Sequence, residues 1–256
     1  MRGLPRGPWP TALVILGFLL AGGLAIVLLD PSGTDEDEYM PLAFGDFVSS
    51  KDPYRTTHEA DRATYARGAG LSDLWTTSYP YLPVLALLQV PFLDYRWTAL
   101  AAYGALLAAL RDRRVAFFAF ANPLVLALAV NGFNDFVPLA LLAWADRTRR
   151  DVPMWLACAA KQFAPLLVAL DLGLRRAWRR LAMAAAFTLA VTMPYVVWDP
   201  GAFVRAAVLH NTSLLADPLH HANYALYPLY ALAVVVPGAL ASRRGATSGA
   251  VVSPAV

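Results

Sequence analysis

An uncharged apolar run from Thr11 to Leu29 opens the chain, a long polar stretch from Thr34 to Pro80 follows, and beyond it apolar runs return, broken only by short clusters of charge. The first run has about the length of ~20 residues that a helix needs to cross a bilayer core. Arg2 and Arg6 precede it and acidic residues follow it, a bias that predicts a cytoplasmic N-terminus and places the polar stretch on the other side. Small Ala21 and Gly22 also allow a cleaved signal peptide, but the length of the run and the apolar runs after it favour an uncleaved first span.

The later runs are shorter. Tyr79 to Phe92 and Trp97 to Leu110 are separated by Asp94, Tyr95 and Arg96, and at 1.5 Å per residue such runs reach only about 21 Å against a hydrocarbon core of ~30 Å. Val115 to Val130 and Phe133 to Ala145 form a second pair, hinged at Asn131-Gly132-Phe133-Asn134-Asp135. Pro153 to Leu174 is interrupted at Lys161-Gln162 and Pro165. Leu181 to Trp198 is again full length, Asp199 to Asn223 is mixed, and Tyr224 to Ala241 reads as a last span before a small, polar tail expected to be disordered. The pattern predicts an all-α, polytopic membrane helix bundle of about seven to nine spans, some short or re-entrant. Its transmembrane domain covers residues 1–241, with one large extracytoplasmic loop over 30–79 and a tail over 242–256.

Three arginine clusters, Arg111 to Arg114, Arg147 to Arg150 and Arg175 to Arg180, complicate the topology. With all three in the cytoplasm, the segment between Arg150 and Arg175 is too short to cross twice and has to be a re-entrant hairpin. Otherwise one cluster lies outside, against the usual bias. The pattern leaves both arrangements open.

Composition agrees with a cell-membrane, multi-pass protein: of 256 residues, 58% are hydrophobic and only 15% charged, and the mean hydropathy is positive. A formal charge of +3 raises the question of nucleic acid. The arginines are placed as topology signals between apolar runs, however, so no nucleic-acid partner is expected. The single cysteine, Cys158, sits within an apolar run and reads as a small buried residue.

The polar stretch holds most of the candidate chemistry. Asp35-Glu36-Asp37-Glu38 can be the solvated start of a loop, the commoner meaning of an acid run. Directly after a span, however, these carboxylates sit at a lipid-water boundary, where mutual repulsion raises the proton affinity of at least one of them and suits it to general-base work. The spacing of Asp35 and Asp37 also allows a divalent cation, although two carboxylates are weak evidence for one; no metal site and no obligatory cofactor are expected. Lys161, within an apolar segment, either faces a polar cavity or snorkels to an interface past the Pro165 break. Asn131, Asn134 and Asp135 form either a plain turn or a polar notch at one membrane face. His210, His220 and His221 lack metal-ligand spacing.

The order of an acidic pair after the first span, then Tyr39, Lys51-Asp52-Pro53-Tyr54 and Tyr79-Pro80-Tyr81-Leu82-Pro83 resembles the first outer loop and second span of the GT-C glycosyltransferases. The branch it looks most like is glycosyltransferase 87 (DUF2029-type), the polyprenol-phosphate-mannose-dependent mannosyltransferases. Asn122-Pro123, Asn131 to Asp135 and Lys161 to Pro165 continue the resemblance in register, which covers roughly Leu13 to Ala206.

The resemblance implies transfer of a mannose-like sugar from a polyprenyl-phosphate donor to a lipid or glycan acceptor on the outer face, with inversion. It makes Asp35 the general base, with Asp37 the second choice. The departing phosphate of such a reaction needs positive charge or donors nearby, which makes Lys161, Arg55, Arg62, Arg205 and His210 candidates by their chemistry, with Tyr39 and Asn134 as further candidates for substrate binding. Members of the family continue through further spans, so the alternatives are an incomplete or non-catalytic membrane scaffold needing a partner membrane subunit, or a small-solute transporter.

Overall fold

The structure, a computed structural model, describes residues 9–30, 43–55, 58–59, 76–77, 81–88, 94–210 and 225–248. It is all-helical apart from one two-residue antiparallel pair, β1 (His58–Glu59) with β2 (Thr76–Thr77). In chain order the helices are α1 (Trp9–Leu29), α2 (43–48), α3 (Pro83–Leu87), α4 (Tyr95–Leu110), α5 (Arg114–Phe120), α6 (Pro123–Val130), α7 (Phe136–Thr148), α8 (Val152–Ala160), α9 (Ala164–Leu174) and α10 (Trp178–Trp198). A short α11 (Pro200–Phe203) runs on into a π-helical turn, Val204–His210. The last helix, α12, runs from Leu226 to Ser248, with π geometry over Ala231–Val235.

Local chemistry sets the breaks. Asp94 accepts a hydrogen bond from the Arg96 amide and starts α4, and Asn122, followed by Pro123, caps α6 through the Val125 amide. Gly132, at φ 83°, turns the chain between α6 and α7, a left-handed backbone that glycine takes without penalty. Prolines near the start of α8, α9 and α11 occupy positions whose amides have no helical partner. At the break between α5 and α6 the freed Phe120 carbonyl accepts from the buried Tyr103 hydroxyl at 3.0 Å, so the interrupted backbone stays satisfied inside the bundle.

α4 packs centrally against α1, α6 and α7, and α7 in turn against α8. Helix α1 approaches α4 closely: a Cβ added at Gly22 would lie 2.6 Å from a Leu100 methyl, and one at Gly104 would lie 2.8 Å from a Leu19 methyl. Small residues at a crossing are how apolar helices gain contact where no hydrophobic driving force separates lipid from leucine. A second, smaller apolar core gathers residues of 43–54, α3, α8 and α11 at one end.

Charge divides the two ends of the bundle. Arg113 pairs with Asp146, which also receives Arg175 at 3.5 Å; Arg147 meets Asp112 at 2.8 Å, and Arg180 pairs with Asp151. The three arginine clusters therefore share one end, and 152–174 folds as a hairpin, α8 up and α9 back, its legs about 14 and 16 Å long. Residues 152–174 thus have the shape that the hairpin arrangement requires. At the other end Arg96 holds Asp30, the residue after α1, at 2.9 Å, as well as Asp94.

Three elements differ from the sequence reading, the first being the run Val115 to Val130, which is split at Ala121-Asn122 into α5 and α6. The run expected to span from Tyr79 contributes only the five-residue α3, buried against α8 and α10, while 79–80 and 89–93 lie outside the described residues. The last helix continues seven residues past Ala241, to Ser248; the remainder of the 242–256 tail lies outside the described residues. Among the described residues two helices, Pro10–Leu29 and Trp178–Trp198, are long and apolar enough to cross a membrane.

Candidate functional site at the acidic end

The interrupted hairpin is the hub of this end. Lys161 follows α8 in an extended conformation, φ −147° and ψ 143°, which turns its side chain out of the helical path. Its ammonium lies 2.8 Å from Asp135 Oδ1, and Lys161 and Asp135 are 4% and 0% exposed. The contact is an ion pair without an aligned hydrogen bond. Lys161 also donates to Asn134 Oδ1 and lies 4.9 Å from the centre of the Tyr81 ring, whose negative face favours a cation. Next in sequence, Gln162 donates to the Ala207 carbonyl in the π-helical turn at 2.8 Å.

Residues 43–55 of the polar stretch are folded onto the same end. The Tyr54 hydroxyl donates to the Tyr81 carbonyl at 2.8 Å. The Tyr54 ring meets Tyr195 and Phe203 edge-on at 5.6 and 4.9 Å, and Phe47 meets Tyr195 at 5.3 Å. Each such pair contributes about 0.5–1.5 kcal/mol beyond burial of area, and so adds to the burial that holds residues 43–55 in place. Tyr54, Tyr81 and Lys161 thereby link the polar stretch to the interior ion pair.

Asp52 is buried in this segment and accepts from the Tyr54 amide at 3.0 Å. Burial pushes its carboxyl above the usual aspartate range, and Asp199 adds to this, while the Tyr54 amide and the Arg55 guanidinium oppose it. A raised folded-state value means that the neutral form favours the docked loop. The contribution is complete below the unfolded aspartate range and is lost as pH rises through the raised value. Thermal unfolding in detergent between pH 3 and 7 should therefore show a decline in stability with rising pH that Asp52→Asn flattens; an unchanged slope in that variant would assign the decline to other groups.

The sequence-derived candidates fall into three groups. Asn134 and Lys161 are brought together, with Asp135 as the partner that the sequence reading noted in a turn but did not pair with the lysine. The signal was present, because an ammonium within an apolar segment calls for a nearby carboxylate. Arg55 and Arg205 are exposed and lie on the elements that carry Asp52 and Phe203, free of any ion pair among the described residues. Asp35, Asp37, Tyr39 and Arg62 lie outside the described residues, as does the side chain of His210. Among the described residues no cluster of three His, Cys, Asp or Glu could hold a metal ion.

The class that this geometry defines is an all-helical bundle with two bilayer-length helices, an arginine end and a polar end built on a helix break. Set against protein-family models, curated proteins and solved structures, the chain matches none.

Proposed function

We propose that the chain is a multi-pass cell-membrane glycosyltransferase of GT-C type, with its arginine end in the cytoplasm and its acidic end on the outer face. It moves a mannose-like sugar from a polyprenyl phosphate to the hydroxyl of a lipid or glycan acceptor. The acceptor oxygen attacks the anomeric carbon, its proton passes to Asp35, and the bond to the phosphate oxygen breaks, so that polyprenyl phosphate leaves and the configuration inverts. In this reading the exposed Arg55 and Arg205 meet the charge of the departing phosphate.

One observation carries the reading: the polar stretch after α1 is anchored on both sides of its acid run, at Asp30 through Arg96 and at buried Ala43, over a break in the bundle. Residues 31–42, which include the acid run, lie outside the described residues; in this reading their carboxylates work at this end, where a water-borne and a lipid-borne reactant can both come. Leucines and valines exposed along α1 and α10 support burial of these helices in lipid. The Lys161–Asp135 pair is what a solute transporter would also display, but it lies beside the first turn of α7, at the acidic end, and the sequence has no repeated halves.

Orientation is tested with a single cysteine at exposed Ser49, in a background where Cys158 is replaced. An impermeant thiol reagent should label it in intact cells, and labelling only after lysis would reverse the bundle and remove the site. Activity is tested with purified protein in lipid, a radiolabelled polyprenyl-phosphate sugar and a membrane extract as acceptor source. No transfer with any such donor would favour the scaffold reading.

A further inference from the structure

The flank between α4 and α7 carries an open groove of about 530 Å³, within the ~300–1,000 Å³ typical of small-molecule sites. Its walls are apolar and low: Ala102 and Ala105 on α4, and Ala140 and Leu141 on α7. Trp144 borders it with its indole N–H already given to the Ala105 carbonyl at 3.0 Å, so the ring offers the groove only its apolar body. Arg150 closes the groove at the arginine end, exposed and without an ion pair among the described residues. Its neighbours in the chain differ: Arg147 binds Asp112 and two α4 carbonyls, and Arg149 reaches towards Asp146.

We infer that this groove binds one anionic phospholipid of the arginine-side leaflet, an acyl chain lying between α4 and α7 and the phosphate on Arg150. The inference rests on the membrane reading above and on charge. Ten arginines, at 111, 113, 114, 147, 149, 150, 175, 176, 179 and 180, stand at this end against Asp112, Asp146, Asp151 and Asp171. A free guanidinium at the mouth of an apolar groove matches a ligand with a charged head and an apolar tail, and it disfavours a lipid of no net charge. A groove of alanines also admits a chain closer to the helix axes than leucines would allow.

The test uses the full chain reconstituted in vesicles of neutral phospholipid, doped with either an anionic or a zwitterionic phospholipid brominated on its chains. Bromine quenches tryptophan at contact, and Trp144→Phe identifies the part of the signal that comes from the groove. The Trp144 component should be quenched at about fivefold lower mole fraction of the anionic lipid, the factor one basic residue contributes at an anionic surface. Arg150→Gln should remove that preference while leaving quenching by the zwitterionic lipid unchanged, and Ala140→Phe, which fills the groove without adding an indole, should abolish both.

Equal quenching by the two lipids, or a preference that survives Arg150→Gln, overturns the site. So does protection of Trp144 from both lipids together with cross-linking of Ala101→Cys between two copies, which would make the groove a self-association face. Failure of the protein to float with the vesicles would instead overturn the membrane reading itself.

Discussion

Asp35→Asn should lower transfer from a polyprenyl-phosphate sugar by ~100- to 10,000-fold, the range that a positioned general base contributes to a rate. The amide keeps the size and the hydrogen-bonding reach of the carboxylate but cannot take the acceptor proton. The loss should therefore fall on turnover, with the apparent affinity for the donor near that of the wild type. Glu36→Gln and Glu38→Gln should be mild if those side chains only solvate the loop. Asp37→Asn falls between these extremes, because a neighbouring carboxylate raises the proton affinity of Asp35 and its removal shifts the pH optimum downward.

The fold gives this comparison an internal control. Tyr54→Phe removes the hydroxyl bond to the Tyr81 carbonyl while keeping the ring contacts with Tyr195 and Phe203, so it loosens one anchor of the polar stretch without touching the acid run. An Asp35 variant that is as active as wild type would move the base to Asp37 or end the catalytic reading of the run. A loss in Glu36→Gln equal to that in Asp35→Asn would point to the charge of the loop rather than to one proton acceptor.

Helix positions were legible in the sequence wherever periodic apolar runs met a strong local stop. The ends of α4 at Leu110, of α6 at Val130, of α9 at Leu174 and of α10 at Trp198 coincide with the ends of apolar runs, and Lys161-Gln162 with Pro165 marked the hairpin break. The arrangement of the arginine clusters was not legible, because it depends on Asp112, Asp146 and Asp151, which collect guanidinium groups from distant parts of the chain. Local pattern records that a charge is present and not which partner it finds. The shortness of α3 was hidden for a similar reason. Val84, Leu85 and Ala86 are apolar because they pack under the polar stretch against α8 and α10, and hydropathy alone does not separate that burial from burial in lipid. At the candidate site, Lys161 stood out as a cation within an apolar segment, whereas its pairing with Asp135 required the third dimension.

Lys161→Met should destabilise the protein by about 3–5 kcal/mol, because it leaves the carboxylate of Asp135 charged, fully buried and without its cation. Asp135→Asn should have an effect of similar size, stranding the ammonium against Asn134 and the Tyr81 ring. The double variant Lys161→Met with Asp135→Asn removes both charges and should recover most of the loss, since a buried pair is weakly stabilising as a whole even where breaking it is costly. Denaturant unfolding in detergent, followed by helix content, gives the three stabilities. A lysine that instead binds the carrier phosphate predicts a different pattern. Stability of Lys161→Met would then be near normal, its apparent donor affinity would fall roughly ten- to a hundredfold for the loss of a ~1.5–3 kcal/mol charge-assisted contact, and Asp135→Asn would not rescue it. Rescue of stability in the double variant, with donor affinity unchanged, would assign Lys161 to holding the hairpin against α7 and leave the phosphate to exposed cations such as Arg55 and Arg205.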